Sequence, residues 1–261
     1  MHPSLWISKT GLSAQDLKMA TISNNLANVA TVGYKRERAV FQDLLYQTKR
    51  QSGAQSSQNT TLPSGLQQGT GVRTIATQKI HSMGNLEITE RPLDMAINGR
   101  GYFQILRPDG SLAYTRDGQF NMDANGQIVN SQGYPLQPAV NIPTTATTIT
   151  IGNDGTISVL DGTSGTVSQV GNIQVTDFPN SAGLQAIGDN LYLETAASGA
   201  ATTATPGVGG VGSTIQGALE NSNVNVVEEL VNMISTQRAY EMNSKVVSSV
   251  DQMLQYVSQN L

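Results

Sequence analysis

The stretch Asn221–Leu261, NSNVNVVEELVNMISTQRAYEMNSKVVSSVDQMLQYVSQNL, decides how the rest of the chain is read. It contains neither Pro nor Gly. Apolar residues fall at Val226, Leu230, Met233, Tyr240, Val247, Val250, Leu254, Val257 and Leu261, in steps of three or four, or of seven where a polar residue intervenes. That spacing predicts a single helix with one apolar stripe, close to the 3.5-residue repeat of a coiled coil. Asn225, with Glu228 three residues on, fits a capping-box start. At about 1.5 Å per residue the helix would run roughly 50–55 Å, longer than an ordinary domain requires. Such a stripe needs a partner. The polar inner positions Gln237, Asn243 and Ser244 spoil a two-stranded coil and suit a multi-helix wall or a hydrated channel.

A matching element opens the chain. From Ser4 to Val32, Leu5, Leu12, Met19 and Leu26 recur every seven residues, with Ile22 and Val29 between them. Gly11 costs about 1 kcal/mol inside a helix and is expected to mark a break, and Gly33 offers a left-handed stop. Residues 1–50 hold seven Lys and Arg against three acids, net +4; residues 220–261 hold two against five, net −3. Opposite signs on two striped helices favour pairing of one with the other over self-contact.

Composition narrows the function classes. Charged residues make up only 13% of the 261, about half the usual share, and the net charge is −4. A weakly charged surface permits association, and the net charge of −4 argues against non-specific nucleic-acid binding, which needs a basic face; Lys35, Arg36 and Arg38 form only a small basic cluster. With no cysteine there are no disulfides, thiolate metal sites or Cys nucleophile. No apolar run is long enough to cross a bilayer as a helix. The N-terminus lacks the apolar core and cleavage site of a secretory signal, so any export is expected to proceed without one.

Between the helices the chain changes character. Residues 51–72 carry no charge and read either as a flexible linker or as a hairpin over Thr60–Gln68 turning at Pro63–Gly65. Val72–Leu193 is β-like, with alternating runs at Val72–Thr77 and Tyr102–Leu106. Further runs lie at Ile149–Ile151, Thr156–Leu160 and Ile173–Phe178. Asp109-Gly110, Asp117-Gly118, Asn125-Gly126, Gln132-Gly133, Asp154-Gly155 and Asp161-Gly162 punctuate them as tight turns. Residues 196–214, rich in Gly, Ala and Thr, read as a small-residue connector. The fold class is therefore α+β: N- and C-terminal coiled-coil-like helices forming a discontinuous helical domain around a central antiparallel β-rich domain. The expected division is three-part: 1–34 with 220–261, 35–80 with 196–219, and 81–195.

Sites for chemistry are weak. Gly207-x-Gly209-x-x-Gly212 has the letters of a dinucleotide fingerprint without the strand before it and the βαβ unit around it. Asn121-x-Asp123-x-Asn125-Gly126 begins like a calcium loop, but position twelve is Gln132 where a bidentate Glu is required. His81 has no nucleophile elbow near it and reads as a surface or packing residue. A secreted β-domain hydrolase with helical arms, or a binding module using its β face, remain open alternatives to a self-associating structural protein.

Three stretches together resemble the axial proteins of the bacterial flagellum, the rod and hook family. They are Ser23-Asn24-Asn25-Leu26-Ala27-Asn28-Val29-Ala30-Thr31-Val32-Gly33-Tyr34-Lys35, Leu93-Asp94-Met95-Ala96-Ile97-Asn98-Gly99-Arg100-Gly101-Tyr102-Phe103, and Gly217-Ala218-Leu219-Glu220-Asn221-Ser222-Asn223-Val224 continuing into Gln237-Arg238-Ala239-Tyr240-Glu241. Asn24, Asn25, Leu26, Ala27, Asn28 and Gly33 carry the family motif; Val32 stands where many relatives have Pro. The length, and Thr61-Leu62-Pro63-Ser64-Gly65-Leu66 within residues 46–70, are similar to the distal-rod type, where this extension implies a rigidifying role for Thr61, Leu62, Pro63 and Gly65. The resemblance implies a non-enzymatic structural subunit with no cofactor, metal, nucleic acid or small-molecule substrate. It further implies export through the flagellar type III apparatus and helical homo-oligomeric assembly into a torque-transmitting tube around the export channel. Proximal rod would lie below, hook above, and the P-ring and L-ring around it. Assembly would use Leu5, Leu12, Met19, Ile22, Leu26 and Val29 of the first helix and the nine striped positions of the last.

Overall fold

In the computed structural model, which describes residues 3–53, 55–57, 60–61, 63–162 and 165–259, the terminal helix starts where its cap predicts. Asn225 Oδ1 accepts the N–H groups of Val227 at 3.1 Å and Glu228 at 3.3 Å, satisfying two donors that the first turn leaves without helical partners. The helix then runs unbroken over Val226–Gln259. Thirty-four residues make it about 51 Å long. The N-terminal helix, α1, spans Pro3–Ala27 and the C-terminal one is α2.

Gly11 does not break α1. A Cβ there would stand 3.2 Å from Asn243 Nδ2, so at this glycine α1 and α2 come close together. Nor does Gly33 terminate the helix: α1 ends at Ala27, five residues short of the expected Val32, and a turn follows. Asn25 explains the early exit. Its amide donates to the Glu37 carbonyl and accepts from the Glu37 N–H, both at 2.8 Å, so one side chain mimics a rung of backbone pairing and ties the returning strand to the helix. Gly33, at φ +70°, serves a different end: a Cβ would fall 2.7 Å from the Arg116 carbonyl carbon.

The chain divides into two units, residues 1–26, 37–78 and 225–261, and residues 27–36 and 79–224. This differs from the three-part expectation, because 37–78 associates with the helices and 196–224 is built into the β unit.

In the first unit, strands β1 (Glu37–Asp43), β2 (Gln47–Arg50), β3 (Gln55–Ser57), β4 (Thr60–Thr61), β5 (Leu66–Gln68) and β6 (Val72–Lys79) follow α1. β1 pairs with β6, β2 with β5 and β3 with β4, so these strands pair as nested hairpins, each inside the one before. The expected turn at Pro63–Gly65 is instead a kink inside the β2–β5 hairpin. A Cβ on Gly65 would sit 2.6 Å from the Arg50 carbonyl oxygen, so Gly lets the returning strand pass close to its partner. Gly71 packs against Thr10, whose Oγ1 accepts the Val72 N–H at 3.3 Å and seats the ribbon on α1.

The second unit comprises β7 (Leu86–Ile88), β8 (Met95–Asn98), β9 (Tyr102–Leu106), β10 (Leu112–Thr115), β11 (Asn121–Met122), β12 (Ile128–Val129), β13 (Leu136–Gln137), β14 (Ala146–Ile151), β15 (Thr156–Asp161), β16 (Val167–Asn172), β17 (Val175–Asp177), β18 (Gln185–Gly188), β19 (Leu191–Leu193), β20 (Thr202–Ala204), β21 (Ser213–Gln216) and β22 (Ala218–Glu220). A seven-stranded antiparallel sheet has the order β18-β19-β10-β9-β17-β20, with β13 also paired to β9; β14-β15-β16 form a second sheet. The core joins the inward faces of both: Met95, Ile97, Phe103, Ile105, Phe120, Ile157, Val159 and Val175 are essentially excluded from solvent. Alternation along β9 and β15 is what sorts these side chains inward.

Residues 196–214 are no loose connector. β20 adds to the sheet edge at β17, and β21 pairs with β8 in register Ser213↔Asn98 to Gln216↔Met95. Within this stretch Gly207 N–H bonds the Gly212 carbonyl at 3.1 Å, so the glycine triplet closes a loop that leads into a strand. Asp123–Gly126 makes the turn between β11 and β12, with Gly126 at φ +81°.

Candidate assembly surface

Few side chains are buried on the two helices, and most of those are small or polar. On α1 the buried residues are Ser8, Ala14, Thr21, Ile22 and Asn25; on α2 they are Glu229, Thr236 and Val250. Of the expected N-terminal positions, Ile22 is buried, and Leu5, Leu12, Met19, Leu26 and Val29 are half-buried. Of the C-terminal ones, Val250 is buried and Met233 and Val247 are half-buried, while Val226, Leu230, Tyr240 and Leu254 are exposed. Leu261, the Val257 side chain, Leu62 and the Thr61 side chain lie outside the described residues. An open cleft bordered by Leu5 and Leu12 of α1 and Tyr240 and Val247 of α2 runs beside the helix contact.

Sequence reasoning underestimated the exposed apolar set. Val227, Val231, Ile234, Met242, Val246, Met253 and Tyr256 are also exposed on α2, as is Trp6 on α1. The 3.5-residue stripe was sought as a single face, whereas the helix carries apolar residues on more than one side. An element that is apolar beyond the face it buries within its own chain is a surface for further association. Pro63 and Gly65 of the hairpin are exposed, and Leu45, at 91%, Tyr46 and Leu66 add apolar area around its base.

The motif residues do structural work. Asn24 and Ala27 are exposed; Asn25 makes the clamp onto Glu37; and the Asn28 carbonyl accepts the Thr31 N–H at 3.1 Å as the chain turns. Gly33 N–H donates to the Glu220 carbonyl at 2.7 Å.

That last contact belongs to a buried charge cluster the sequence did not announce. Lys35, Arg116 and Glu220 are 0%, 4% and 1% exposed. Lys35 Nζ donates to Glu220 Oε1 and, at 2.8 Å, to the Ser82 carbonyl. Arg116 Nη1 donates to Glu220 Oε2 at 2.9 Å, and its guanidinium also reaches the carbonyls of Ile97 and Gly99. Gly84 N–H supplies a further donor to Glu220 Oε1 at 2.9 Å. Two cations thus share one carboxylate. Burial pulls the Lys35 ammonium below its ordinary pKa against the opposing pull of Glu220, and Arg116 adds to the depression. Asn223 completes the closure, accepting the Arg36 N–H at 2.7 Å and donating to the Ile80 carbonyl at 2.8 Å.

Of the surface and packing roles left open for His81, the structure shows packing, beside this cluster. Its ring meets Tyr102 and Tyr192 edge-on, and Tyr102 Oη lies 2.8 Å from Nδ1. Burial, then the charges of Lys35, Arg116 and Lys79, lower its pKa to about 4; burial pushes Tyr102 up to about 12. The imidazole is therefore neutral at pH 7, and in the tautomer protonated at Nε2 its Nδ1 accepts a hydrogen bond from the Tyr102 hydroxyl. Nothing in this arrangement presents a nucleophile or a paired acid and base to solvent.

Comparison with known proteins fits the same three regions. Residues 5–35 match the flagella basal body rod protein family, residues 96–159 the flagellar hook protein FlgE/F/G D1 domain, and residues 215–260 the flagellar basal body rod FlgEFG protein C-terminal family. The flagellar basal-body rod protein FlgG of Buchnera aphidicola subsp. Acyrthosiphon pisum is 57% identical over 99% of this chain and 100% of its own. Those of Caulobacter vibrioides (51%, 98% of each chain) and Bacillus subtilis (39%, 98% and 97%) are also similar throughout.

The chain belongs to the FlgG family of flagellar basal-body rod proteins. It is a structural rod subunit and not an enzyme. Each matched region contributes one member of the buried triad: Lys35 from the first, Arg116 from the second and Glu220 from the third. The triad holds together segments 81 and 104 residues apart along the chain, which is why no local pattern revealed it.

Proposed function

We propose that the chain is the subunit of the distal part of the rod, assembling helically into a stiff hollow shaft that carries torque and encloses the export channel. The observation that carries this reading is full-length similarity to FlgG proteins in a chain whose α2 leaves apolar side chains exposed along its length. Leu5, Leu12, Met19, Ile22, Leu26 and Val29, with Val226, Leu230, Met233, Tyr240, Val247, Val250, Leu254, Val257 and Leu261, then face other copies or the helix pair itself. The hairpin of residues 47–68, including Thr61, Leu62, Pro63 and Gly65, stiffens the shaft by bridging neighbours. Proximal rod and hook proteins cap the two ends, the P-ring and L-ring surround it, and the subunit travels through the type III apparatus without a cleaved signal. Electron microscopy of concentrated full-length protein tests this: straight tubes support it, and tubes of a variant lacking Gln51–Pro63 should curve. Dispersed single particles at every concentration would overturn it.

A further inference from the structure

Trp6, the chain's one tryptophan, is 49% exposed at the start of α1, with a cleft on each side. One, about 230 Å³, is lined by Lys9, Ser13, Ala14 and Val72; the other, about 270 Å³, by Ile7, Gln68 and Gly69. Lys9 Nζ lies 5.5 Å over the indole, and Lys9 lines the first cleft. Thr10 and Thr74 also line the first and Gln47 and Thr70 the second, so the exposed indole is the main apolar group between two recesses of mixed lining and offers a docking surface.

The geometry of the helix pair shows what fits it. Gly33 and Glu220, six residues beyond α1 and six before the start of α2, are hydrogen-bonded, while Gly11 meets Asn243 midway along the helices. A parallel pair in that register would separate Ala27 from Val226 by about 50 Å, more than two six-residue links with a turn can span. The helices are therefore antiparallel, and with Gly11 opposite Asn243, Pro3 falls opposite Asp251. The last two turns of α2 then run beyond the described start of α1. They bear Met253, Leu254 and Tyr256, 57%, 45% and 70% exposed. Asp251 lies at the root of this projection.

Charge points the same way. Residues 3–26 and 37–78, which form the Trp6 side, carry six Lys and Arg against three acids, net +3; α2 carries two against four, net −2. We propose that the projecting end of α2 in one copy seats Met253, Leu254 and Tyr256 in the clefts flanking Trp6 of the next, with Asp251 approaching Lys9. Socket and plug are different surfaces of the same chain, so the contact is heterologous and repeats without closing into a dimer, giving an open helical series. This rests on the reading of the chain as a rod subunit and names the segment that fills one of its faces.

Trp6 makes the test direct. In full-length protein raised through its assembly concentration, followed in parallel by sedimentation, Trp6 emission should shift to the blue as polymer forms. Leu254→Ser should raise the critical concentration tenfold or more, as roughly expected for an apolar side chain lost from a buried contact. Lys9→Glu and Asp251→Lys should each raise it about two- to fivefold, the yield of an exposed ion pair, and the double exchange should recover most of the loss. Polymer whose Trp6 emission stays that of the dilute subunit, or shifts equally in Leu254→Ser, overturns the docking while leaving the rod reading intact. A blue shift independent of concentration places the plug within its own chain and overturns it too. If no polymer forms, the rod reading falls and the docking with it.

Discussion

Replacing Glu220 by Ala removes the single carboxylate that Lys35 and Arg116 share. Three donors lose their acceptor: Lys35 Nζ, Arg116 Nη1 and Gly84 N–H. Each bond to a charged group is worth about 1.5–3 kcal/mol, but the losses do not add in full, because Lys35 keeps the Ser82 carbonyl and Arg116 keeps Ile97 and Gly99. What dominates is two like charges left buried without a counterion, for which about 3–5 kcal/mol is the general cost. Against a domain stability of about 5–15 kcal/mol, that lowers the melting temperature of the β unit by about 8–16 °C. Lys35→Met is the informative comparison. It leaves Glu220 and Arg116 as a one-to-one pair and should cost about 1–3 kcal/mol, less than Glu220→Ala despite deleting an equally buried group. Denaturant-dependent amide exchange, read on peptides from residues 79–224, isolates this unit from the helices. Glu220→Ala within about 0.5 kcal/mol of the parent, or Lys35→Met costing more than Glu220→Ala, would refute the reasoning.

Two further outcomes follow from particular side chains. His81 has a folded pKa of about 4 against an ordinary 6.5, so the unfolded chain binds more protons between those values. The stability that His81 contributes is complete above pH 6.5 and lost as pH falls toward 4, by about 3 kcal/mol in all; urea unfolding at pH 7.5 and 4.5 should show this loss, and His81→Gln should flatten the profile by that amount. Gly11→Leu forces a side chain into the approach of α1 to Asn243 and should destabilise the helix pair by about 1–3 kcal/mol even though Leu favours helix, seen as faster exchange across residues 236–250.

Where the sequence was legible, a local rule was at work. The Asn225 cap, the strand Tyr102–Leu106 and the turns at Gly110, Gly126, Gly133 and Gly155 are short-range features, and each is in place. Where it misled, a distant partner set the outcome. Gly11 and Gly33 are glycine because Asn243 and Arg116 come close, not because a helix must break or stop. Residues 51–72 left linker and hairpin both open because β2 and β5 pair mostly through polar side chains, with no alternation of apolar ones to decide between them. The stripe on α2 was visible, but periodicity cannot say which apolar residues the chain covers itself. The helices bury Ser8, Ala14 and Thr236, small side chains that carry little apolar signal, come together at Gly11, and leave Leu230 and Leu254 exposed. The Lys35–Arg116–Glu220 triad had no sequence signature: Lys35 opens the run Lys35-Arg36-Glu37-Arg38, Arg116 is followed by Asp117, and only Glu220 stands alone among uncharged residues.

Because the chain has no cysteine, a single introduced thiol is a unique handle on the outward face of α2. Leu230→Cys, at a position 43% exposed in the isolated chain, should react with a maleimide at the rate of a free thiol in dilute protein and become strongly protected once the protein has been concentrated into tubes. Equal reactivity in dilute subunit and in polymer would contradict the claim that this face of the terminal helix is where one subunit meets the next.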